Sequence, residues 1–483
     1  MSASAFYVLA PYLALTGALV VLLLVIAFAR SHLTALVVTV LGLVATVVVS
    51  IVTADAEPQI VMSLLQIDGY TSFYNLLFLL AALATCLLAF HYLKGRRGEL
   101  EEFYVLINVG TLGAMIMAGA VHFATFVLGL EILSVALYAM IAYPEEKHPP
   151  LEAALKYLVL SAVASTTMLF GMALIYNATG SLYFSDLGEV ESAKLTMHLR
   201  VGQAMLFAGI AFKLSLVPFH MWTPDVYQGA PAPVTGYIAT VSKAAVFAML
   251  MRLAIESDAL TGPVVFTFMS LLAVGSMIVG NLLALRQDNL KRLLAYSSIA
   301  HMGYLLVALI GTARLADEPF VAEAAMVYLA GYTLTTLAAF GVVALLSSAP
   351  AGDDAQTTGQ YRGLFWRRPI AAACLTAALL SLMGMPLTAG FIAKFYIVAT
   401  GVQGAMWVLV WALIIGSSIS VYYYVKVIYA MTSTETAAPY PSPQTSGASL
   451  PTVLALSVGV VAVGFYPTPL INVIRSLVGD FGL

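Results

Sequence analysis

Apolar runs of about 20 residues recur from one end of the chain to the other, with short polar stretches between them. A helix of that length crosses the hydrocarbon core of a bilayer, and the short alternating segments of a transmembrane barrel do not occur. The pattern therefore predicts an all-α polytopic membrane protein with about 14 transmembrane helices. In chain order the predicted spans, numbered 1 to 14, are 6–29, 33–54, 72–93, 103–120, 122–143, 152–177, 201–222, 233–255, 262–285, 291–312, 321–347, 369–399, 404–431 and 450–473.

Two of these spans are predicted to be broken inside the membrane. Span 12 is too long for one straight crossing and contains Gly384 and Pro386, and span 7 contains Pro218. Proline removes a backbone donor and clashes with the preceding helical turn. Since the freed backbone groups need partners, broken membrane helices usually line a cavity or an ion site.

The same two spans carry a weak internal echo. The segment LSLVP at 214–218 resembles LSLMGMP at 380–386, and the two spans lie five helices apart. Because an odd number of helices inverts the second copy of a unit, this spacing matches a five-helix unit that is repeated with inverted topology.

The composition excludes several other classes of protein. Of 483 residues, 61% are hydrophobic and 9% are charged, and the mean hydropathy is +0.96, a balance that is foreign to soluble domains of this size. The net charge of -3 gives no reason to expect a nucleic-acid partner. Cys86 and Cys374 lie inside apolar runs and form no CxxC pair, so neither metal ligation nor a disulfide is predicted. No phosphate-binding glycine loop or dinucleotide fingerprint occurs, and we expect the chain to bind no nucleotide.

Basic residues in the loops predict the orientation, because they accumulate on the cytoplasmic side. The loops that follow the odd-numbered spans hold most of them: Arg30, Lys94, Arg96, Arg97, Lys147, Arg286, Lys291, Arg292, Arg362, Arg367 and Arg368. The loops on the other side hold only Lys194, Arg200, Arg314 and Arg475. Both termini are therefore predicted to lie on the outer side of the membrane.

Four charged side chains lie deep in apolar runs: Glu131, Lys213, Lys243 and Lys394. A charge at the centre of a bilayer costs roughly 2.5–3.5 kcal/mol on insertion scales, and such residues usually mark ion pathways or proton relays. The pattern therefore favours a chain that moves charge across the membrane. The alternative is a set of structural charges, such as a static ion pair between Glu131 and Lys213.

Two further residues are weaker candidates. Lys156 lies only about a turn inside span 6, so its ammonium group can also extend back to the membrane surface. His301 follows Ser297 and Ser298 by one turn, and a neutral histidine suits proton exchange. Asp225 lies in a proline-rich loop, where capping of a turn is the preferred interpretation and proximity to a proton entry is the alternative.

Four segments carry a resemblance to a known family. They are FKLSLVPFHMWTPDVYQGAPAPV (212–234), NLKRLLAYSSIAHMGYLL (289–306), YRGLFWRRP (361–369) and MPLTAGFIAKFY (385–396). In sequence and order they closely resemble the antiporter-like membrane subunits of bacterial respiratory NADH–quinone oxidoreductase (complex I). The similarity extends roughly from residue 70 to residue 430.

The resemblance implies 14 helices with two inverted five-helix repeats, helices 4–8 and helices 9–13. It divides the chain into 1–102 (helices 1–3), 103–258 (first repeat), 259–432 (second repeat) and 433–483 (a loop and helix 14). It also implies a proton relay, with these members: Glu131 as the acid of helix 5, Lys213 as its partner in helix 7, Lys243 as the central lysine, Lys394 as the terminal lysine, Lys156 of helix 6 and His301 as a linking group.

The resemblance further implies a subunit that holds no redox cofactor, in a multi-pass position in the bacterial inner membrane. NADH, flavin, iron–sulfur clusters and quinone are expected in other subunits, and the partners are the other membrane-arm subunits and the lipid bilayer. Two alternatives remain open. One is a subunit of a related cation/proton antiporter or of a membrane-bound hydrogenase, and the other is a structural scaffold whose buried charges do no transport.

Overall fold

The computed structural model describes residues 3–96, 98–143, 148–187, 197–257, 260, 262–315, 319–347, 354–434 and 449–479. Over these residues the fold consists of helices and one short hairpin of two antiparallel strands, β1 (Gln59–Val61) and β2 (Leu65–Ile67). The helices are α1 (Ala3–Val8), α2 (Ala10–Phe28), α3 (His32–Val52), α4 (Gly69–Leu93), α5 (Glu102–Ala118), α6 (Phe123–Ile141), α7 (His148–Thr179), α8 (Met197–Lys213), α9 (Trp222–Gly229), α10 (Ala232–Tyr237), α11 (Lys243–Ser257), α12 (Pro263–Ala284), α13 (Leu290–Gly311), α14 (Phe320–Leu346), α15 (Leu364–Arg367), α16 (Pro369–Met383), α17 (Ala389–Gln403), α18 (Trp407–Thr432), α19 (Ser449–Phe465) and α20 (Thr468–Val478).

Ten helical segments of the described chain are long and apolar enough to cross a membrane. They are α2, α3, α4, α6, α7, α12, α13, α14, α18 and the continuous segment Ala232–Ser257, which joins α10 to α11 through a π-helical turn. The bent pair α19–α20 makes an eleventh candidate. The other predicted spans correspond to the shorter helix α5 and to segments that are interrupted, α8 and α16–α17. The prediction of an all-α polytopic membrane protein is confirmed.

The predicted span 450–473 is wrong as a single helix. Helix α19 ends at Phe465, and α20 continues at an angle of 82°. Pro467 lies at the bend; it lacks a backbone donor and disfavours helical geometry in the residue before it. Ile474 and Val478 of α20 are buried, and the helix packs against α4 and α14. The last described element is therefore an amphipathic helix that is bent away from α19, not a continuation of the span.

The break predicted in span 7 is present and lies directly after Lys213. Helix α8 ends at this residue and α9 begins at Trp222, with a non-helical segment at 214–221 that contains Pro218. The Trp222 indole donates to the carbonyl oxygen of Phe212 at 3.0 Å. Trp222, at the start of α9, thus donates to a carbonyl group at the end of α8, and Lys213 stands at the end of a helix in the bundle interior.

The break predicted in span 12 is also present. Helix α16 is capped by Gly384, which has a left-handed φ of 90°, and α17 begins at Ala389. A Cβ atom on Gly384 would lie 2.9 Å from Cδ of Lys394, so glycine serves both the backbone turn and the approach of the lysine. The division into two inverted repeats, 103–258 and 259–432, stays a prediction.

Charged pairs tie the predicted cytoplasmic loops to one another at one end of the bundle. Asp225, in α9, lies 2.7 Å from Arg292 and 3.1 Å from Lys156. Asp354 lies 2.6 Å from Lys291. The loops that follow spans 7, 9 and 11 therefore meet at a common end of the bundle. Arg97, Lys147 and Lys194, which also entered the orientation argument, lie outside the described residues.

Candidate proton-relay site

Lys213 is held by two serine hydroxyl groups from neighbouring helices. Its Nζ donates to Ser134 Oγ of α6 at 2.9 Å and to Ser161 Oγ of α7 at 2.6 Å. The side chain is almost completely buried, with a residue exposure of 4%. Tyr138, one turn beyond Ser134, donates its hydroxyl to the same Ser161 at 2.7 Å. Lys213 and Tyr138 are therefore joined through the Ser161 hydroxyl, and all three groups can exchange protons.

Glu131 lies in the same region but makes no direct ion pair with Lys213. The ion pairs found among the described residues, within 4.0 Å, do not include this pair, whereas Ser165 Oγ donates to Glu131 at 2.6 Å. Ser161 and Ser165 are one turn apart on α7, so they share a face. The acid and the lysine thus sit beside two neighbouring hydroxyls of one helix, and the static ion pair considered above is not formed.

Lys243 follows the π-helical turn Ile238–Ser242 and opens α11. Its Nζ donates to Ser298 Oγ of α13 at 2.7 Å and lies 5.6 Å from the centre of the Tyr227 ring. Only 1% of the residue is exposed. π-Helical turns are rare and frequent at functional sites, and here the turn carries a lysine into the middle of the bundle.

His301 continues the polar contacts away from Lys243. It follows Ser298 by three residues on α13 and therefore lies on the same face. Its Nδ1 is 2.7 Å from the hydroxyl of Tyr328 on α14. One turn further along α14, Tyr332 donates to Ser298 at 2.8 Å. Helices α13 and α14 thus present hydroxyl and imidazole groups between Lys243 and Lys394.

Lys394 lies beyond His301, in α17 just after the break in span 12. Its Nζ donates to the Met383 carbonyl oxygen and to Ser417 Oγ, both at 2.9 Å. A cavity of about 10 Å³ lies between His301 and Lys394, and Tyr332 also forms part of its wall. A cavity of roughly that volume holds one water molecule when polar partners surround it. The terminal lysine and the histidine therefore share one water-sized space.

Lys156 lies apart from these buried groups. Its side chain is 44% exposed and its Nζ pairs with Glu152 at 2.8 Å and with Asp225 at 3.1 Å. All three residues line a cleft of about 440 Å³ at the end of the bundle where the basic loops meet. The carboxylate of Asp225 forms ion pairs here with Lys156 and Arg292, and the cap residue of α9 is Met221. Position and exposure agree with the extended, surface-directed interpretation of Lys156.

Several hydroxyl groups in this line were not singled out from the sequence. They are Ser161 and Ser165 on α7, Tyr328 and Tyr332 on α14, and Ser417 on α18. A signal was present for the first four, because each pair is spaced by four residues in an apolar helix and so faces one side. Nothing in the local sequence distinguished Ser417 from the neighbouring serines of its helix.

Metal ligation has little support in the described part of the chain. One group of three carboxylates there, Glu99, Glu101 and Glu102, has ligand atoms within 4.8 Å of one another. Arg30 already pairs with Glu99 and lies 2.9 Å from Glu102. The cluster lies at the start of α5, far in sequence from the buried lysines, and Arg30 supplies a basic partner for two of its carboxylates.

A polytopic helical bundle with lysines at two intramembrane breaks is typical of membrane proteins that move ions. A sequence model of the family described as "NADH:quinone oxidoreductase/Mrp antiporter, TM" matches residues 120–420. The chain belongs to this NADH:quinone oxidoreductase/Mrp antiporter family.

Individual relatives agree with this membership. The chain is 45% identical over 478 residues to NADH-quinone oxidoreductase subunit N of Ectopseudomonas mendocina (strain ymp), and the match covers 97% of this chain and 95% of the relative. A chain of respiratory complex I from Thermus thermophilus, solved with bound aureothin, superposes with a TM-score of 0.81 at 32% identity, covering 96% of this chain and 98% of that one. A chain of the Mrp complex from Dietzia sp. DQ12-45-1b superposes with a TM-score of 0.85 at 17% identity, covering 99% and 98%. The last similarity concerns the fold alone.

Proposed function

We propose that this chain is the subunit-N component of the membrane arm of a bacterial NADH–quinone oxidoreductase, and that it translocates protons. Its partners are the other membrane-arm subunits, and electrons pass from NADH to quinone in other subunits of the complex. The flavin, the iron–sulfur clusters and the quinone site belong to those subunits, so the role of this chain is not a redox role. The relatives named above, one at 45% identity and one at 32% identity, support this assignment.

The observation that carries the proposal is the line of buried charges, in which each member contacts a hydroxyl group. Lys213 contacts Ser161, Lys243 contacts Ser298, and Lys394 contacts Ser417. A hydroxyl accepts one hydrogen bond while it donates another, so it can pass a proton between two groups that never touch. Three buried lysines that served only packing would be a costly choice, because apolar residues of similar volume are often at least as stabilising.

The proposed route starts on the cytoplasmic side and ends on the outer side. A proton reaches Lys213 and Glu131, passes to Lys243 and His301, and leaves from Lys394. The first two lysines lie in the first five-helix unit, 103–258, and the last lies in the second, 259–432. Lys156 stands at the cytoplasmic cleft and acts there as a weaker, outlying member. In this orientation both chain termini lie on the outer side of the inner membrane.

The charges of Glu131 and the buried lysines couple the protonation of one member of the line to that of the next. A positive charge on one buried lysine disfavours a positive charge on the next, and this repulsion is strong where water is scarce. A negative charge on Glu131 has the opposite effect on Lys213. A change of charge at one end of the line therefore favours proton uptake or release further along, and electron transfer in partner subunits can drive the cycle without a redox group in this chain.

A related cation/proton antiporter subunit is the second candidate function. The family description includes Mrp antiporters, and the Mrp chain has the same fold. The gene neighbourhood separates the two, because genes for respiratory subunits and genes for antiporter subunits differ. A membrane-bound hydrogenase subunit is a variant of the same idea. A purely structural scaffold predicts that neutral replacements of the buried charges leave pumping intact.

The test is the number of protons pumped per NADH oxidised, measured in inner-membrane vesicles that carry Lys213→Ala in the otherwise intact complex. We expect pumping and quinone reduction to fall together while the complex remains assembled. Lys426→Ala is the matched control, since Lys426 is a partly exposed lysine of α18 that pairs with Asp288 at 3.0 Å. Unchanged pumping in both Lys213→Ala and Lys243→Ala vesicles would overturn the transport function and favour the scaffold.

A further inference from the structure

A buried amide, Asn281 of α12, lies close to the pocket of Lys394. It has no exposed surface. Its Nδ2 donates to the Met277 carbonyl oxygen at 2.7 Å and to the hydroxyl oxygen of Tyr304 at 2.8 Å. Its Oδ1 accepts from the hydroxyl of Tyr423 at 2.9 Å. Because a carbonyl oxygen only accepts, the contact with Met277 fixes which end of the amide is nitrogen.

This orientation determines the direction of the next hydrogen bonds. The hydroxyl oxygen of Tyr304 accepts a hydrogen bond from Asn281, so the hydroxyl hydrogen of Tyr304 points away from the amide. The Tyr304 hydroxyl faces α18 at Gly416, where an added Cβ atom would lie 3.1 Å from it, and Oγ of the next residue, Ser417, lies 2.9 Å from Nζ of Lys394. Asn281 therefore contacts Tyr304, and Ser417 contacts Lys394; a hydrogen bond from Tyr304 to Ser417 would join these two contacts into one line whose polarity the amide sets.

We propose that Asn281 is a positioning residue for proton release from Lys394, because it directs the hydroxyl hydrogens of Tyr304 and Ser417 toward the lysine nitrogen. An ammonium group has three donors and no acceptor, whereas a neutral amine has a lone pair that needs a donor. When the –NH₃⁺ group of Lys394 gives a proton to solvent on the outer side, the remaining –NH₂ group can accept from Ser417. Ser417 in turn accepts from Tyr304. The inference rests on the proposed function of Lys394 and adds a reason why its neutral form is accessible.

The surrounding backbone is built for this contact. A Cβ atom on Gly416 of α18 would lie 2.9 Å from Nδ2 of Asn281 and 3.1 Å from the hydroxyl oxygen of Tyr304. A side chain at this position would push α18 away from α12 and α13. Glycine therefore allows the close approach, and the next residue along α18 is Ser417 itself.

An amide at position 281 also separates the Lys394 pocket from a second group of hydroxyls, those of Tyr423, Tyr424 and Ser297. The Tyr423 ring packs against Tyr424, with ring centres 4.4 Å apart and ring planes tilted by 56°, and Tyr424 hydrogen-bonds Ser297. A carboxylic acid at position 281 could take up and release a proton between Tyr423 and Tyr304, whereas an amide keeps its hydrogens. Asn281 thus joins the two tyrosines structurally without opening a proton route between them.

The substitution Asn281→Asp reverses the polarity with little change in shape. A carboxylate accepts from Tyr304 instead of donating to it, so the hydroxyl hydrogen of Tyr304 turns away from Ser417. The added negative charge also favours the protonated lysine. The titratable groups that face Lys394 in the wild-type protein are His301 and Tyr304 of α13 and Tyr328 and Tyr332 of α14, and none of them is altered.

The experiment is the pH profile of proton pumping per NADH in vesicles that carry the assembled complex with Asn281→Asp. We expect the rising limb of the profile to move to higher pH by about one unit, a tenfold change in proton affinity. Tyr304→Phe removes the relayed donor without adding charge, so it should move the limb in the same direction and serves as the test if Asn281→Asp does not assemble. Asn108→Asp is the control, because Asn108 is a buried amide of α5 that donates to the Tyr104 carbonyl oxygen at 2.8 Å.

Lys394→Met, measured in parallel, separates two kinds of failure. If Lys394→Met pumps like wild type, the proposed relay is wrong at its last member. If Lys394→Met stops pumping while Asn281→Asp or Tyr304→Phe keeps the wild-type pH profile, the relay stands and the role of Asn281 is overturned. A loss of rate that is uniform across pH would mean a structural role only and would also overturn it.

Discussion

Removal of the Ser161 hydroxyl is the sharpest test of whether serines carry protons between the buried charges. Ser161 is fully buried and accepts from both Lys213, at 2.6 Å, and Tyr138, at 2.7 Å. Ser161→Ala deletes both contacts and leaves the backbone of α7 and the four charged members of the line untouched. Lys213 then keeps Ser134 as its remaining acceptor in the structure.

The magnitude follows from these two contacts. A hydrogen bond to a charged group contributes about 1.5–3 kcal/mol, and a neutral one about 1 kcal/mol. Loss of the first from a proton-bearing intermediate raises its free energy by about 1.5–3 kcal/mol, and each 1.36 kcal/mol is tenfold in rate. We therefore expect a pumping rate that is roughly 10-fold to 100-fold lower, with a complex that still assembles. Ser161→Thr retains the hydroxyl group and should recover a large part of the rate.

The assay is proton uptake into vesicles together with NADH oxidation, normalised to the amount of assembled complex. Thr166→Ala is the matched control: Thr166 lies on the exposed side of the same helix and donates to the Ala162 carbonyl oxygen at 2.9 Å. Both variants lose one hydroxyl from α7, but only one of these faces Lys213. Equal pumping by Ser161→Ala and Thr166→Ala would refute the idea that the serine hydroxyls form part of the route.

Two further predictions concern stability. Gly384→Ala should lower the free energy of unfolding by about 1–3 kcal/mol, because an L residue is strained at φ 90° and its Cβ meets Lys394. Thermal unfolding measures this loss. The control is Gly262→Ala, which has no atom within 4 Å of the added carbon and should leave the unfolding temperature close to wild type. Burial of the Asp354 carboxyl, in the loop before α15, acts to raise its pKa, but the ammonium group of Lys291 and the hydroxyl of Tyr92 hold that pKa below its usual value. The pair therefore stabilises the fold above the unfolded pKa of about 3.9, and this contribution is lost as the pH falls through the lower folded value. Asp354→Asn should lower stability at neutral pH by about 3 kcal/mol or more and flatten the acid limb of a plot of unfolding temperature against pH; an unchanged acid limb would contradict the assignment.

Much of the architecture was predictable from hydrophobicity alone. Length and apolarity locate the helices, and proline marks the breaks after Lys213 and Met383. The bend after Phe465 was not predicted, although Pro467 marks it as the other prolines mark their breaks, because the segment after it is apolar enough to extend a helix. The amphipathic character of α20 can be interpreted only once the structure shows that Ile474 and Val478 pack on neighbouring helices.

Charged members of the candidate site were easier to predict than the groups that connect them. A lysine in an apolar run is conspicuous because its burial is costly. A serine or tyrosine in such a run is common, and the sequence alone does not show that Ser161 contacts Lys213 or that Ser417 contacts Lys394. These contacts join residues of different helices that are 52 and 23 positions apart along the chain. Their positions depend on tertiary packing.

The hydroxyl spacing between Glu131 and Lys213 has a consequence for transport. Beyond 4 Å, two unit charges attract by less than about 4 kcal/mol at an effective dielectric constant of 20. A membrane potential supplies about 2.3 kcal/mol per charge for each 100 mV, so the two energies are of the same order. A direct, fully desolvated ion pair would hold its charges against such a driving force, because the loss of one partner from a buried pair costs about 3–5 kcal/mol. In the proposed relay this pair changes its charge state in every cycle; the separation by Ser161 and Ser165 suits that role, and closing the gap into a salt bridge should slow the cycle.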